Sequence, residues 1–316
     1  MAITYSMRVK EELLSHVAKA RHCQLAGLAA ILKMEGSVTL HEMGGGTIYI
    51  RTDNVISLRK CFTILKKAFN IDTDILDTVA EKRENGHVYK AIVNDADAVS
   101  SILMALKEIN EDGTLRENRD VVSPLLLRNQ CCKRAFLRDT FLCIGSISDP
   151  KKSYHLEFVC ESKEQANQIL DVLRDFELQP KMVIRKKYYV VYLKEGEEIV
   201  DLLNIMEAHI SLMELENLRI YKDMRNSVNR RVNCEAANIT KTVNAASRQT
   251  KDIQYIQQHY GFNRLSEGMR QMAEVRLEHP DATLAELGAF LDPPVGKSGV
   301  NHRLRKLSEL ADRLRT

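Results

Sequence analysis

Apolar residues recur along this chain at two different spacings, and the alternation between them lays out its elements. Val9, Leu13 and Leu14 share one face of a short helix starting after Ser6. An apolar helix is expected from about Cys23 to Met34, ended by Glu35-Gly36-Ser37, followed by two short strands, Ser37–His41 and Thr47–Arg51. Gly44-Gly45-Gly46 joins them as a hairpin connection in which glycine supplies positive φ. A helix over about Val55–Phe69 comes next, then strands at Asp72–Ala80 and His87–Val93 turned by Asn85-Gly86. Asp95 or Asp97 caps a further helix reaching Ile109.

The same order then recurs. A helix at about Lys133–Ile144 again ends in Gly-Ser, Gly145-Ser146, and strands are expected at Ile147–Ser148 and Tyr154–Cys160. A helix over Lys163–Phe176, strands at Lys181–Arg185 and Tyr188–Leu193, and a helix over Glu197–Ala208 complete it. Gly36 and Gly145 set the offset, and the pattern reads as an internal repeat over about 20–110 and 130–210. Two unrelated α+β units are the alternative. Residues 216–233 are polar and basic and read as a connector, and from Asn233 the chain turns helical throughout.

The last third carries a second pattern. A helix from about Asn233 to Gln257 sets Ile239, Val243, Ala246, Ile253 and Ile256 on one face and Asn238, Lys241, Thr242, Asn244, Arg248 and Lys251 on the other. Leu265–Leu277 reads as a supporting helix capped by Ser266, with Met269, Met272 and Ala273 inside. Thr283 and Glu286 form a T-x-x-E capping box ahead of Leu284, Leu287 and Leu291. Gly288 and the segment with Pro293-Pro294 and Gly296 end that short helix. Ser298 is placed to cap the next, whose seam is Val300, Leu304, Leu307, Ala311 and Leu314.

A capped short helix, a turn and a longer helix with a polar, basic beginning form the helix-turn-helix arrangement, at 283–314. Its second helix reads base edges in the major groove. The candidate DNA-contacting residues are Lys297, Ser298, Asn301, His302, Arg303, Arg305 and Lys306. Arg is suited to guanine and Asn to adenine, while Lys297, Arg303 and Lys306 suit phosphates. A plain helical hairpin with a solvated basic face is the alternative.

Composition narrows the classes. Hydrophobic content of 44% and charged content of 28% fit a globular chain of two or three domains. No apolar run of membrane-spanning length occurs and no secretory signal opens the chain, so the expectation is a cytoplasmic, nucleoid-associated protein with no membrane partner and no small-molecule substrate. Residues 221–316 carry 16 Lys/Arg against 11 Asp/Glu, while the preceding 220 carry 30 against 32. The basic excess thus lies with the helical region. Seven scattered cysteines without a C-x-x-C argue against a disulfide framework and a zinc site, and no cofactor is expected.

Leu28-Ala29-Ala30-Ile31-Leu32-Lys33-Met34-Glu35-Gly36 resembles the LAGLIDADG signature of homing endonucleases. The resemblance implies two such helices packed side by side, each ending in a carboxylate that holds a catalytic divalent metal. Phosphodiester hydrolysis needs oxygen ligands on both sides of the phosphate. The second copy reads Leu137-Arg138-Asp139-Thr140-Phe141-Leu142-Cys143-Ile144-Gly145, so the metal positions are Glu35 and Ile144, and isoleucine binds no cation. Asp139 lies one turn too early and points towards the partner helix, where the family favours a small residue. Glu35 reads as a solvated or helix-terminal carboxylate. The strand saddle, with Arg51, Arg59, Lys82, Arg83, Lys90, Lys151, Lys152, Arg185, Lys186 and Lys187 as its available cations, serves either DNA or a protein partner.

Both halves together resemble the WhiA family of sporulation and cell-division regulators of Gram-positive bacteria. The resemblance includes Ser6-Met7-Arg8-Val9-Lys10-Glu11-Glu12-Leu13, Cys131-Cys132-Lys133-Arg134-Ala135-Phe136-Leu137-Arg138, Gly145-Ser146-Ile147-Ser148-Asp149-Pro150 and Asn229-Arg230-Arg231-Val232-Asn233-Cys234-Glu235-Ala236-Ala237-Asn238. It implies an α+β, pseudo-twofold LAGLIDADG homing-endonuclease-like domain (1–215) joined through a linker (216–233) to an all-α helix-turn-helix domain (234–316). The implied function is a non-enzymatic, sequence-specific transcriptional regulator that binds double-stranded DNA at promoters, with RNA polymerase or its sigma factor as a partner. A nucleoid or division adaptor with weakly specific DNA binding is the first alternative. A metal-dependent endonuclease is the second, and it requires an acidic residue at 144.

Overall fold

The computed structural model describes residues 3–41, 46–52, 54–71, 89–110, 114–116 and 120–315. The expected strand Asp72–Ala80, the turn at Asn85-Gly86, Lys82, Arg83, Gly44 and Gly45 lie outside the described residues. The chain forms two compact units, Met1–Tyr221 and Lys222–Thr316.

The first unit begins with α1 (Tyr5–Ser15), whose N-cap is Thr4, the side chain accepting from the Met7 amide. Two parallel series of elements follow: α2 (Arg21–Glu35), β1 (Gly36–Leu40), β2 (Gly46–Thr52), α3 (Val55–Phe69), β3 (Tyr89–Val93) and α4 (Ala96–Ala105), then α5 (Gln130–Ile144), β4 (Gly145–Ile147), β5 (Leu156–Cys160), α6 (Lys163–Arg174), β6 (Lys181–Arg185), β7 (Tyr188–Leu193) and α7 (Gly196–Ile205). Both described sheets are antiparallel, ordered β1-β2-β3 and β4-β5-β7-β6. Gly36 pairs with Ile50 and Gly145 with Phe158, so each sheet starts at the same point after its helix. Asp95 caps α4 through the Ala98 amide, but α4 stops at Ala105, short of Ile109, where Lys107 takes a left-handed φ of 58°.

Apolar side chains from both series merge into one core. α2 and α5 lie at its centre, with Leu28, Ile31, Phe136 and Phe141 fully buried. The pairing is reciprocal. Asn54, the N-cap of α3, donates to the Leu142 carbonyl near the end of α5 at 2.6 Å. Gln165, in the capping box of α6, donates to the Lys33 carbonyl near the end of α2 at 3.1 Å. Positions 33 and 142 share the offset of Gly36 and Gly145. Each repeat thus satisfies an otherwise orphaned helix-terminal carbonyl of the other, at a cost avoided of about 1–3 kcal/mol per group.

α8 (His209–His259) is a single helix of 51 residues. Residues 216–233, expected as a connector, are helical throughout. Within the first unit its start is fixed by Glu12, which accepts from the Ile210 and Ser211 amides at 2.7 and 2.9 Å, and by the Tyr5 hydroxyl, which donates to the Ser211 carbonyl.

The second unit holds the rest of α8, α9 (Glu267–Glu278), α10 (Leu284–Ala289) and α11 (Lys297–Arg315). Ile253 and Ile256 of α8 meet Met272, Ala273, Leu287, Leu291, Val300, Leu304, Leu307 and Ala311 in a core of their own. Ile239 and Val243, expected on that apolar face, are exposed instead, because the packed part of α8 starts only near Ala246. Ser266 occupies the N-cap position of α9 without a capping hydrogen bond from its side chain.

Candidate functional site

The helix-turn-helix is built from local chemistry. The Thr283 side chain accepts from the Glu286 amide at 3.3 Å, and Glu286 accepts from the Thr283 amide at 2.8 Å. Donation from the Thr283 amide, helped by its hydroxyl, holds the exposed Glu286 carboxyl below its ordinary pKa. At Gly288 a Cβ would overlap the Val295 carbonyl, so this glycine lets the turn close onto α10. The Val295 amide donates back to the Gly288 carbonyl at 3.0 Å.

α11 turns its seam inward and leaves Lys297, Ser298, Asn301, His302, Arg305 and Lys306 exposed. Lys297 and Asn301 share an open cleft of about 470 Å³ with Lys241 of α8 and Thr283. Arg305 pairs with Glu309 one turn along at 3.1 Å, an exposed contact that a phosphate or base can displace at little cost.

Two of the named residues sit differently from expectation. Arg303 is half-buried and donates to the Gly268 carbonyl at 3.2 Å. Gly268 has no side chain, so the guanidinium lies against the α9 backbone and not on the open face. Ser298 does not cap α11, because the helix already begins at Lys297; Ser298 lies in its first turn.

Arg276 was missed. It is buried, its guanidinium donating to Gln249 Oε1 at 2.7 and 3.1 Å and to the Ala282 carbonyl at 2.7 Å. It ties α8 to the loop that leads into the Thr283 cap, and burial lowers its pKa. A lone arginine among polar neighbours gives no sequence signal for such a role.

In the first unit Glu35 ends α2 and Ile144 ends α5. Glu35 is not solvated. Its Oε1 accepts from the Thr52 hydroxyl at 2.7 Å, while Oε2 is buried without a hydrogen bond, and burial raises the carboxyl pKa. A raised folded-state pKa favours folding below the unfolded value, and that gain is lost as pH rises through the folded value. Glu35→Gln is therefore expected to raise the unfolding midpoint at neutral pH. The gain should vanish below the ordinary carboxylate range, which thermal unfolding across pH 3–8 will check.

Asp139 faces α2. A Cβ on Gly27 would overlap its carboxylate, so the glycine makes room for Asp139 between the two helices. Arg51 and Lys90 are cross-strand partners in the first sheet, where the matching pair of the second sheet is Val159 and Val190. In the second sheet Lys181, Arg185, Lys186 and Lys187 are exposed instead.

Three family models match the chain. They are a WhiA N-terminal LAGLIDADG-like domain at residues 21–107, a WhiA LAGLIDADG-like domain at 133–225 and a WhiA C-terminal HTH domain at 228–311. A probable cell division protein WhiA of Lachnoclostridium phytofermentans is 49% identical over 313 residues, covering 99% of this chain and 100% of that one. The chain belongs to the WhiA family. A WhiA relative so named from Alkaliphilus oremlandii is 48% identical over 316 residues, covering 99% of this chain and 98% of its own. The crystal structure of full-length WhiA from Thermatoga maritima covers 98% of both chains with a TM-score of 0.59 at 23% identity, which establishes a shared fold. The WhiA fold is thus a LAGLIDADG homing-endonuclease-like pair of repeats with a C-terminal helix-turn-helix. None of the described helices is long and apolar enough to cross a membrane.

Proposed function

We propose that this chain is a sequence-specific regulator of transcription linked to cell division, which reads promoter DNA through α11 and has no nuclease activity. The observation that carries this reading is the helix-turn-helix itself: a capped, glycine-closed turn that buries one seam of α11 and leaves Asn301, His302, Arg305 and Lys306 on the other side. Near a recognition-helix start, Asn301, His302 and Arg305 face base edges, with Lys297, Lys306 and Lys241 at the phosphates. The names of the relatives support the link to cell division. RNA polymerase, or its sigma factor, is the partner that a promoter-bound regulator meets, and the nucleoid is the place where it acts.

Loss of cutting rests on the helix ends. Isoleucine at 144 supplies no oxygen to a divalent cation, so the two-sided ligation of a scissile phosphate is incomplete. The strand saddle then serves either DNA or a protein partner.

The test is to incubate the protein with sheared genomic DNA and magnesium at physiological salt, then sequence bound fragments and new ends. A short shared motif without new ends is expected. Fresh ends at a fixed site would overturn the non-nuclease reading, and uniform recovery would favour a nucleoid adaptor. On the recovered motif, Asn301→Ala and Arg305→Ala should each cost about 1–3 kcal/mol and relax preference at one base position. Equal losses on random DNA would remove them from base reading. Glu35→Ala should leave affinity unchanged.

A further inference from the structure

Spacing along the chain gives no metal motif, but the fold brings four ligand side chains together. His22 and Cys23 open α2, and Cys131 and Cys132 open α5. Their ligand atoms all lie within 4.8 Å of one another. His22 Nδ1 is 3.2 Å from Cys132 Sγ, 3.3 Å from Cys23 Sγ and 4.0 Å from Cys131 Sγ. A tetrahedron with metal–sulfur bonds of about 2.3 Å and a metal–nitrogen bond of about 2.1 Å has edges of roughly 3.6–3.8 Å, so the cluster needs only small rotamer adjustments to close on one ion.

The arrangement follows from the repeat. His22 matches Cys131 and Cys23 matches Cys132, at the same offset that relates Gly36 to Gly145. Packing α2 against α5 therefore brings two equivalent dipeptides face to face. Each supplies one buried sulfur, Cys23 or Cys132, and one exposed ligand, His22 or Cys131, which leaves an entry path from solvent. Two helix N-termini converge there, and their dipoles favour the negative charge of thiolates. We propose that His22, Cys23, Cys131 and Cys132 form a Cys3His site for a structural zinc ion that clamps the N-termini of the two central helices.

This site is separate from the degenerate nuclease positions. Glu35 lies twelve residues beyond Cys23 on the same helix, about 18 Å away along its axis. The donor set also differs in kind. Three soft thiolates and an imidazole select zinc, whereas the oxygen donors of a nuclease site select magnesium. All four protein ligands fill the tetrahedron, which is the closed form of a structural site.

The experiment uses the full-length chain, reduced with a non-chelating phosphine and kept anaerobic. Cobalt(II) titration should produce thiolate-to-cobalt charge-transfer bands in the near ultraviolet and the visible bands of tetrahedral cobalt, saturating at one equivalent. Zinc should then displace the cobalt stoichiometrically. Cys131→Ser removes an exposed ligand with little effect on packing. It should weaken zinc by more than about 100-fold, since loss of an outer partner alone costs 10–100-fold. His22→Ala should weaken zinc while leaving the charge-transfer bands, with circular dichroism confirming that both variants fold. Absence of a cobalt spectrum in the reduced, folded protein would overturn the site. So would equal zinc affinity in the wild type and both variants, or a disulfide among Cys23, Cys131 and Cys132 in metal-replete protein isolated from cells.

Discussion

Asp139→Ala is expected to destabilise the LAGLIDADG-like unit by about 3–5 kcal/mol, because it strands a buried lysine. Lys60 is almost fully buried, its ammonium 3.7 Å from Asp139 Oδ1 and hydrogen-bonded to the carbonyls of Leu13, at 3.0 Å, and His16. Burial lowers the Lys60 pKa and raises that of Asp139, and each charge partly restores the other. Arg138 adds to the same cluster by donating to the Met206 carbonyl and pairing with Glu207. Without Asp139 the lysine keeps only neutral acceptors. A lysine with a lowered folded-state pKa binds fewer protons folded than unfolded, so the variant should regain stability as pH rises towards 10. Denaturant unfolding of Asp139→Ala across pH 6–10 measures both effects. The double variant Asp139→Ala, Lys60→Met should recover most of the loss, since removing both partners of a buried pair is far cheaper than removing one. Equal stability of wild type and Asp139→Ala at pH 7 would mean that the pair is neutral as folded.

What could be read from the sequence follows from where burial is periodic. α3, β6 and β7 fall at their expected ends. In α3 an Asn54 cap meets a strong apolar stripe, and the two strands flank the short Lys186-Lys187 turn. The start of α8, expected as a connector over 216–233, differs for the opposite reason. Ile220, Tyr221, Met224, Val228 and Val232 are more than half exposed, so no buried stripe marks that stretch as helix, and its asparagines weaken the propensity signal. At the helix-turn-helix the capping box and seam were legible because both are local. The inward turn of Arg303 was not, since it depends on a glycine 35 residues earlier. The Cys-His cluster escaped for a related reason. Ligand spacing is normally sought within one segment, whereas here two dipeptides become neighbours only once the repeats pack.

Arg276→Met should lower the stability of the second unit by about 3–6 kcal/mol, through the loss of two charge-assisted contacts worth roughly 1.5–3 kcal/mol each. The methionine keeps most of the stem packing but offers no donors. Gln249 Oε1 and the Ala282 carbonyl, both on half-buried residues lining the cleft, then lose the guanidinium that bridges them. Arg276→Lys should recover only part of the loss, because an ammonium cannot bridge a side-chain amide and a loop carbonyl as a planar fork does. Hydrogen exchange is the suitable readout: protection should fall in α9, α10 and α11 while α2 and α5 stay protected. Unchanged protection in α9–α11 would show that the guanidinium is dispensable to the fold. The DNA consequence also separates this residue from Asn301. Gln249, Arg276, Thr283, Lys297 and Asn301 line one cleft, so loosening Arg276 disturbs the whole surface proposed to read DNA. Affinity should then fall on specific and random DNA alike, whereas Asn301→Ala should act at a single base position.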